Sequence, residues 1–285
     1  MKQNRKKLIA GWILFLVAIG LFCLQMGYLL VHDHYQVEYI DNRLFYLINI
    51  LFVVCILLAL ILLLRLPKKF LIIAITAAGL IIILQTVLLT NSNNEIRNYI
   101  SISPNFKHIF SIKKNVASGE AYYYRSYYGI LARPKEKLGH KIHGEYKVQW
   151  LAKDVATFTY QAPNETIQQF IGTYGDRNKG LSYYYVGAEI QGVWKSNNIT
   201  VVSSPDGISV TENNHTEQFE WDDIHQFGTL AVVLKKNNEA IWTISLNENF
   251  VVESDSTIEK EGNITIYKAV IENEQPVVLH YKGPN

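Results

Sequence analysis

Histidine has the widest chemical use of any residue in this chain, because its imidazole can transfer protons or ligate a metal near neutral pH. His32 and His34 are separated by one residue, and His140 and His143 by two. A zinc site normally takes at least three protein ligands, and neither pair has an obvious third. We therefore predict that all four are polar loop residues, and we expect no metal site and no cofactor.

Asp222 and Asp223 form a carboxylate pair directly after Trp221. Such a pair suits acid–base chemistry or calcium binding, because hard cations prefer oxygen ligands. Neighbouring residues of a strand point to opposite faces, so the pair is more typical of a turn or a helix start. The sequence also lacks the Gly-x-Ser-x-Gly, His-Glu-x-x-His and phosphate-loop motifs, and we predict no catalytic residues.

The densest basic stretch lies between residues 125 and 153 and is the strongest candidate for a binding surface. Its cationic side chains are Arg125, Arg133, Lys135, Lys137, Lys141, Lys147 and Lys153. Tyrosines crowd the same region as Tyr122, Tyr123, Tyr124, Tyr127 and Tyr128, and a second triplet covers 183–185. Amphipathic rings suit sugar stacking and headgroup contact, although half-buried sheet packing also favours tyrosine. We predict a binding site formed by Arg125, Arg133, Lys135, Lys137, Lys141, Tyr123 and Tyr127.

The region after residue 90 is electrostatically divided. Residues 91–195 hold 14 Lys and Arg against 8 Asp and Glu, whereas residues 196–285 hold 5 against 14. At the outer face of a membrane, the anionic partners of a basic region are lipid headgroups or phosphate-bearing wall polymers. The alternatives are a solvated loop, or two halves that attract each other. Expected partners are therefore membrane lipid, an anionic wall polymer or another membrane protein, and not nucleic acid.

The elements that must position these residues are mainly strands. Alternating patterns predict a hairpin over 99–103 and 108–113. Further strands are predicted over 147–151, 156–160, 181–190, 199–203, 230–234, 240–246, 264–271 and 277–281. Many short strands at this spacing favour an antiparallel sandwich or barrel-like domain. A propeller-like domain is the alternative, suggested by the turn 204–207, but no regular period of blade length supports it.

One segment departs from the strand pattern. Ile167, Phe170, Ile171 and Tyr174 recur with helical spacing after a plausible helix start at Asn164. The sequence therefore predicts one short helix here, packed on the sheet.

Three apolar runs occupy residues 8–31, 44–64 and 70–90. Each has about the ~20 residues that a helix needs to cross a membrane. A cleaved signal peptide has a shorter apolar segment, of roughly 7–15 residues, so the first run predicts an uncleaved anchor. The runs contain no Asp, Glu, Lys, Arg or His, which argues against an ion-coupled transporter. Gln25, Asn49 and Gln85 are expected to form hydrogen bonds between the helices.

Flanking charges predict the orientation, because Lys and Arg accumulate on the cytoplasmic side. The basic N-terminus, residues 1–7, and the turn 65–69 are rich in Lys and Arg, whereas 32–43 holds one Arg against three acids. We predict a multi-pass protein of the cell membrane with a cytoplasmic N-terminus, a connector over 91–98 and an external domain over 99–285. The only cysteines, Cys23 and Cys55, lie in the apolar runs, so the external domain has no disulfide. Its Asn-, Lys- and Ile-rich composition favours a bacterium with a single membrane.

These observations predict a membrane-anchored binding module of the cell envelope without enzymatic activity. One alternative is an envelope enzyme, hydrolase-like, whose site assembles only in three dimensions from His140, His143, Asp222 and Asp223. Another is a protective, immunity-type membrane protein.

Overall fold

The computed structural model describes residues 5–175, 177, 183–252 and 261–285. These residues form two compact units, and the chain passes between them more than once. The first unit comprises Met1–Ile100 and Ser111–Lys137, and the second comprises Ser101–Phe110 and Leu138–Asn285. Lys2 of the predicted basic N-terminus and the first two residues of the predicted strand 181–190 lie outside the described residues.

Three long helices dominate the first unit: α1 (Arg5–Tyr35), α2 (Arg43–Leu63) and α3 (Lys68–Glu95). All three are long and apolar enough to cross a membrane, which confirms the prediction of three long apolar helices. α2 packs against both α1 and α3. Residues 91–95, predicted as part of a connector, form the last turns of α3, and the next strand begins at Ile96.

A chain of amide side chains joins the three helices. Nε2 of Gln25 donates to Oδ1 of Asn49 over 2.7 Å, and Nδ2 of Asn49 donates to Oε1 of Gln85 over 3.3 Å. The hydroxyl of Tyr39 donates to Oε1 of Gln25 over 2.7 Å. The predicted interhelical hydrogen bonds are therefore confirmed, and they extend to the loop that joins α1 and α2.

A five-stranded antiparallel sheet follows the helices. Its strands, β1 (Glu38–Tyr39), β2 (Ile96–Ile102), β3 (Ile109–Asn115), β4 (Ala121–Tyr128) and β5 (Leu131–Lys137), are ordered β1-β5-β4-β3-β2. The predicted hairpin over 99–113 is confirmed as β2 and β3. The two-residue strand β1 comes from the loop between α1 and α2, and it pairs Glu38 with Ala132 and Tyr39 with Leu131 of β5.

A buried cation fixes β1 to the sheet. Lys113 of β3 is only 4% exposed, and its Nζ donates to Oε2 of Glu38 over 2.6 Å and to the carbonyl oxygen of Tyr39 over 2.7 Å. The ring centroid of Tyr124 lies 4.2 Å from the same nitrogen. Burial lowers the pKa of Lys113, while the Glu38 carboxylate opposes that shift. A buried ammonium needs such partners, because an unpaired charge is strongly unfavourable away from water.

The second unit contains a three-stranded sheet and a nine-stranded, barrel-like sheet. The first consists of β6 (Tyr146–Ala152), β7 (Val155–Gln161) and β8 (Ile167–Thr173). The second has the order β12-β11-β10-β9-β17-β16-β15-β14-β13. Its strands are β9 (Gly192–Lys195), β10 (Ile199–Ser204), β11 (Gly207–Glu212), β12 (His215–Phe219), β13 (Ile224–Phe227), β14 (Ala231–Lys236), β15 (Glu239–Leu246), β16 (Asn263–Lys268) and β17 (Val277–Gly283). Trp194, Phe219 and Ile244 lie in the core that this sheet encloses.

The mainly-β prediction is confirmed, but its short helix lies elsewhere. The predicted helix over 164–174 is wrong, because residues 167–173 form strand β8. That strand is buried on both faces, so its apolar residues lose the alternation that marks a half-exposed strand. Its two glutamines are satisfied across strands: Gln168 donates to the carbonyl oxygen of Asn238. Gln169 donates from Nε2 to Oγ1 of Thr159 and accepts at Oε1 from the hydroxyl of Thr243.

The helix of the second unit is α4 (Val186–Glu189), within the segment predicted as a strand. The amide of Val186 donates to Oε1 of Gln226 over 2.9 Å, which holds the helix start against β13. Asp222 and Asp223 belong to a 3₁₀ turn, Trp221–Asp223, as their adjacency suggested. One continuous nine-stranded sheet also differs from the separate four-stranded blades of a propeller.

The Glu38–Lys113 pair makes a stability prediction. Glu38→Ala leaves the Lys113 ammonium buried without its carboxylate, and we expect a loss of about 3–5 kcal/mol in the free energy of unfolding. Glu120→Ala, which breaks the solvent-exposed pair with Lys137, is the matched control and should leave it nearly unchanged. Denaturant unfolding of the full chain in detergent micelles measures both.

The same unfolding experiment, repeated at several pH values, tests the charge of Lys113. The lowered pKa of Lys113 means that the folded state releases this proton at lower pH than the unfolded state. Stability therefore rises with pH between the folded-state pKa and the unfolded value. Without Glu38 the pKa of Lys113 falls further. The loss in the free energy of unfolding caused by Glu38→Ala should therefore shrink as the pH is raised. Equal denaturant midpoints for Glu38→Ala and Glu120→Ala at neutral pH would contradict the assignment of Glu38 as the counter-charge of Lys113.

Candidate functional site

Most of the predicted binding residues lie on one hairpin of the first unit. Strand β4 carries Tyr123, Arg125 and Tyr127, and strand β5 carries Arg133, Lys135 and Lys137. Lys141 belongs to the second unit, in an exposed loop after β5. The hairpin β4–β5 is therefore the part of the prediction that the fold brings together.

Strand register determines which of these side chains share a face. Arg125 lies directly opposite Arg133, and directly opposed residues of an antiparallel pair project to the same side. The pairing register shifts between Tyr123 and Tyr124, where Lys135 of β5 has no opposite residue. Tyr123 and Tyr124 are both buried, whereas Arg125 and Tyr127 are exposed. Tyr123 is only 4% exposed and belongs to the interior of the unit rather than to its surface.

The lysines of β5 have different surroundings. Nζ of Lys137 donates to Oε1 of Glu120 over 2.7 Å, and this bond raises the pKa of Lys137. The ring of Tyr122 lies on the same side, with its centroid 5.9 Å from that nitrogen. Lys135 is exposed. The charge of Lys137 is therefore partly balanced within the hairpin, whereas Lys135 faces solvent.

Arg133 is the residue with the most specific environment. Its Cζ lies 4.5 Å from the ring centroid of Tyr127, a distance at which a guanidinium is attracted by the ring face. Its Nε is buried and has no hydrogen-bond partner among the described residues. Most buried polar atoms are hydrogen-bonded, so a buried donor without a partner needs an explanation.

Arg133 lines two neighbouring cavities of the first unit. The larger, of about 450 Å³, is lined by Val31, Tyr35, Val37, Tyr127, Tyr128, Leu131 and Arg133. The smaller, of about 220 Å³, is lined by His34, Tyr35, Gln36, Arg133 and Pro134. Tyr35 and Arg133 are common to both. The larger cavity is in the size range of small-molecule sites, which are mainly apolar with a few polar groups.

Sequence reasoning identified Arg133 and Tyr127 but missed the side of the site formed by α1 and the loop after it. Val31 and Tyr35 lie one helical turn apart at the end of α1, about 100 residues before their partners on the hairpin. The pairing of β1 with β5 brings them together, and a strand of two residues leaves almost no trace in a sequence. The helical spacing of Val31 and Tyr35 was the one available signal.

A further cavity lies in the second unit, with a volume of about 460 Å³. Its walls include Tyr185, Ala188, Trp221, Ile224 and Gln226. Nε1 of Trp221 donates to the carbonyl oxygen of Pro205 over 2.8 Å. Nε2 of Gln226 donates to the carbonyl oxygens of Tyr184 and Gly228 over 2.9 and 2.8 Å. Hydrogen bonds thus fix both side chains in the wall.

Two of the histidines that the sequence singled out, His140 and His32, have local partners. Nε2 of His140 lies 3.3 Å from Nδ2 of Asn238, and Nδ1 of His32 lies 2.6 Å from the carbonyl oxygen of Val37. Burial, reinforced by the charge of Lys235, lowers the pKa of both His140 and His225. Among the described residues, no group of three or more His, Cys, Asp or Glu side chains is placed to hold a metal ion.

Comparison with known proteins adds no further assignment: no family model, curated protein or solved structure matches this chain.

Gly187 makes the cavity of the second unit testable. A Cβ atom at this position would lie 2.8 Å from Cη2 of Trp221, so Gly187→Ala should displace the indole ring. Such overpacking lowers the free energy of unfolding by about 1–3 kcal/mol. The fluorescence emission of Trp221 should also shift; this emission is obtained by subtracting the spectrum of the Trp221→Phe variant. Gly139→Ala is the control, because a Cβ there meets no atom within 4 Å. An unshifted spectrum with unchanged stability would argue against this packing.

Proposed function

We propose that the protein is a membrane-anchored binding module of the cell envelope, whose β4–β5 hairpin contacts anionic material at the outer face of the membrane. The observation that carries the proposal is the placement of Arg125 and Arg133 directly opposite each other on one hairpin. Like charges directly opposite in a sheet are destabilising. An anionic partner that contacts this face would meet both cationic side chains, so the arrangement favours a role in binding anions.

The membrane side of the proposal rests on the helices and their flanking charges. Lys and Arg accumulate on the cytoplasmic side of membrane helices, and they are concentrated before α1 and between α2 and α3. The orientation proposed is therefore a cytoplasmic N-terminus, with the end of α1, the end of α3 and the following β-rich chain outside. In this orientation the hairpin belongs to the external side.

An anchor suits the helices better than a transport pathway does. The apolar runs contain no Asp, Glu, Lys, Arg or His, and their amide side chains are used in the hydrogen-bonded chain of Gln25, Asn49 and Gln85. Ion pathways and proton relays normally need ionisable groups at membrane depth. The chemistry of the chain is therefore concentrated outside the helices.

The strength of the proposed contact can be bounded. Each Lys or Arg near an anionic membrane surface contributes about 1 kcal/mol, and salt screens this attraction over about a Debye length. The exposed cations of the hairpin would therefore give a reversible, salt-sensitive contact that adds to the anchoring by the helices.

Charge reversal tests the proposed binding surface. The triple variant Lys135→Glu, Lys137→Glu and Lys141→Glu, reconstituted as full chain in phosphatidylcholine nanodiscs, should bind phosphatidylglycerol vesicles or wall fragments at least about 100-fold more weakly, since three contributions of about 1 kcal/mol are lost. Cosedimentation at several salt concentrations measures the affinity.

The matched control reverses three exposed lysines of the second unit, Lys195, Lys236 and Lys282. Its binding should stay within about threefold of the wild type. Binding that is independent of salt and equal in the two triple variants would rule out the hairpin as an electrostatic contact surface.

Cysteine labelling tests the proposed orientation. In a Cys23→Ala, Cys55→Ala background, a membrane-impermeant maleimide added to intact cells should label Ser118→Cys but not Lys68→Cys. Both introduced thiols are at exposed positions, so a difference reports the side of the membrane. Labelling of Lys68→Cys with protection of Ser118→Cys would reverse the proposed orientation.

A further inference from the structure

The guanidinium of Arg133 has the surroundings of an anion-binding group. Its Nε is buried and without a hydrogen-bond partner among the described residues, and one face of the group lies against the Tyr127 ring. Because the ring covers one face and the Nε is buried, the terminal nitrogens of the guanidinium are the donors that can make in-plane hydrogen bonds to a ligand in the cavities that Arg133 lines. Guanidinium groups match the geometry of phosphate oxygens in that plane.

We propose that Arg133 binds the phosphate of a single anionic phospholipid whose glycerol and upper acyl region occupy the adjoining apolar cavity. This inference rests on the proposed function, because it requires the end of α1 to lie at the outer surface of the membrane. It goes beyond that function by naming the ligand and one specific site, where the hairpin as a whole provides only general attraction.

The two cavities beside Arg133 differ in character and favour an amphipathic ligand. Val31, Val37 and Leu131 give the larger cavity an apolar wall, whereas His34 and Gln36 line the smaller one. Arg133 and Tyr35 lie at both. A molecule with a phosphate between an apolar part and a polar part matches this order, because each part then meets walls of its own polarity.

The position of the site along α1 agrees with the depth of a lipid phosphate. Val31 ends the first apolar run, and Tyr35 ends α1 four residues later. At 1.5 Å per residue, Tyr35 lies about 6 Å beyond the apolar run, which is the headgroup level of a helix that crosses the membrane. Tyrosines are enriched at that level, and Tyr35, Tyr127 and Tyr128 all line the cavity.

Charge near the site also favours an anion. Arg125 lies opposite Arg133 in the register, so two cationic side chains project from the same face of the hairpin. Neither cavity has an Asp or Glu among its lining residues. A phosphate would therefore meet positive charge from two strands and no carboxylate in either wall.

Lipid retention measures this site directly. The full chain is reconstituted in phosphatidylcholine nanodiscs that contain a minor fraction of phosphatidylglycerol, transferred into a neutral detergent and examined by native mass spectrometry. We expect the wild type to retain one phosphatidylglycerol molecule in preference to phosphatidylcholine. Arg133→Gln should retain it at least tenfold less, while Lys236→Gln, at an exposed position of the second unit, should behave as the wild type.

A second variant protects the test against misfolding of Arg133→Gln. Tyr35 is 53% exposed and lines both cavities, so Tyr35→Ser should weaken phosphatidylglycerol retention while Arg133 remains in place. Equal retention by the wild type, Arg133→Gln and Tyr35→Ser would overturn the proposal. An equal preference for the two lipids in the wild type would also overturn it.

A competition arm distinguishes a lipid from a free anion. Inorganic phosphate at a large excess should not displace phosphatidylglycerol, because the apolar cavity contributes only to lipid binding. Displacement at low phosphate concentration would instead indicate a site for free phosphate and would overturn the proposal of a lipid ligand.

The two experiments distinguish the lipid site at Arg133 from the proposed binding surface of the hairpin. If phosphatidylglycerol is retained through Arg133 while the triple lysine variant binds vesicles normally, the pocket stands and the hairpin is not the electrostatic contact surface. If the triple variant loses vesicle binding but Arg133→Gln retains lipid, the binding module stands and the pocket assignment fails.

Discussion

The buried ammonium of Lys113 is the constraint on which the first unit depends. A charge that cannot reach water must have partners of opposite polarity, and both of its hydrogen-bond acceptors belong to the loop between α1 and α2. This requirement holds β1 beside β5, although a two-residue strand has little stability of its own. The loop in turn sets Val37 beside Leu131 in the wall of the larger cavity. The candidate site is thus a consequence of how one lysine is buried.

The sequence predicted elements whose signal is local and missed those defined by distant partners. Membrane-length helices satisfy their backbone hydrogen bonds internally, so apolar length alone located α1, α2 and α3. Half-exposed strands such as β10 alternate visibly. By contrast, β8 is covered on both faces and its residues 167, 170 and 171 imitate a helix, while β1 is recognisable only through its pairing with β5. The helix α4 depends on Gln226, 40 residues away.

The residues of the candidate site likewise divide into those that a local sequence signal predicts and those that are defined by distant partners. A basic, tyrosine-rich composition was enough to select Arg133 and Tyr127, because charge and aromatic content are visible without a fold. Strict alternation would place Tyr123, Arg125 and Tyr127 on one face, but the pairing register shifts after Tyr123, and Tyr123 is buried whereas Arg125 and Tyr127 are exposed. The contribution of α1 was not foreseeable, since Tyr35 reaches the hairpin only through the β1–β5 pairing.

Lys113 and Arg133 lie on the same sheet and show two ways of treating a shielded cation. Lys113 is paired with a carboxylate inside the unit, as a structural charge requires. Arg133 has an aromatic face and a buried Nε but no hydrogen-bond partner for that nitrogen among the described residues. Among the described residues, the fold supplies Glu38 to one cation and an aromatic ring to the other, which suits the second to the proposed external anion. Selectivity between anionic ligands would then come from the apolar walls of the larger cavity, because a guanidinium can pair with any phosphate or carboxylate.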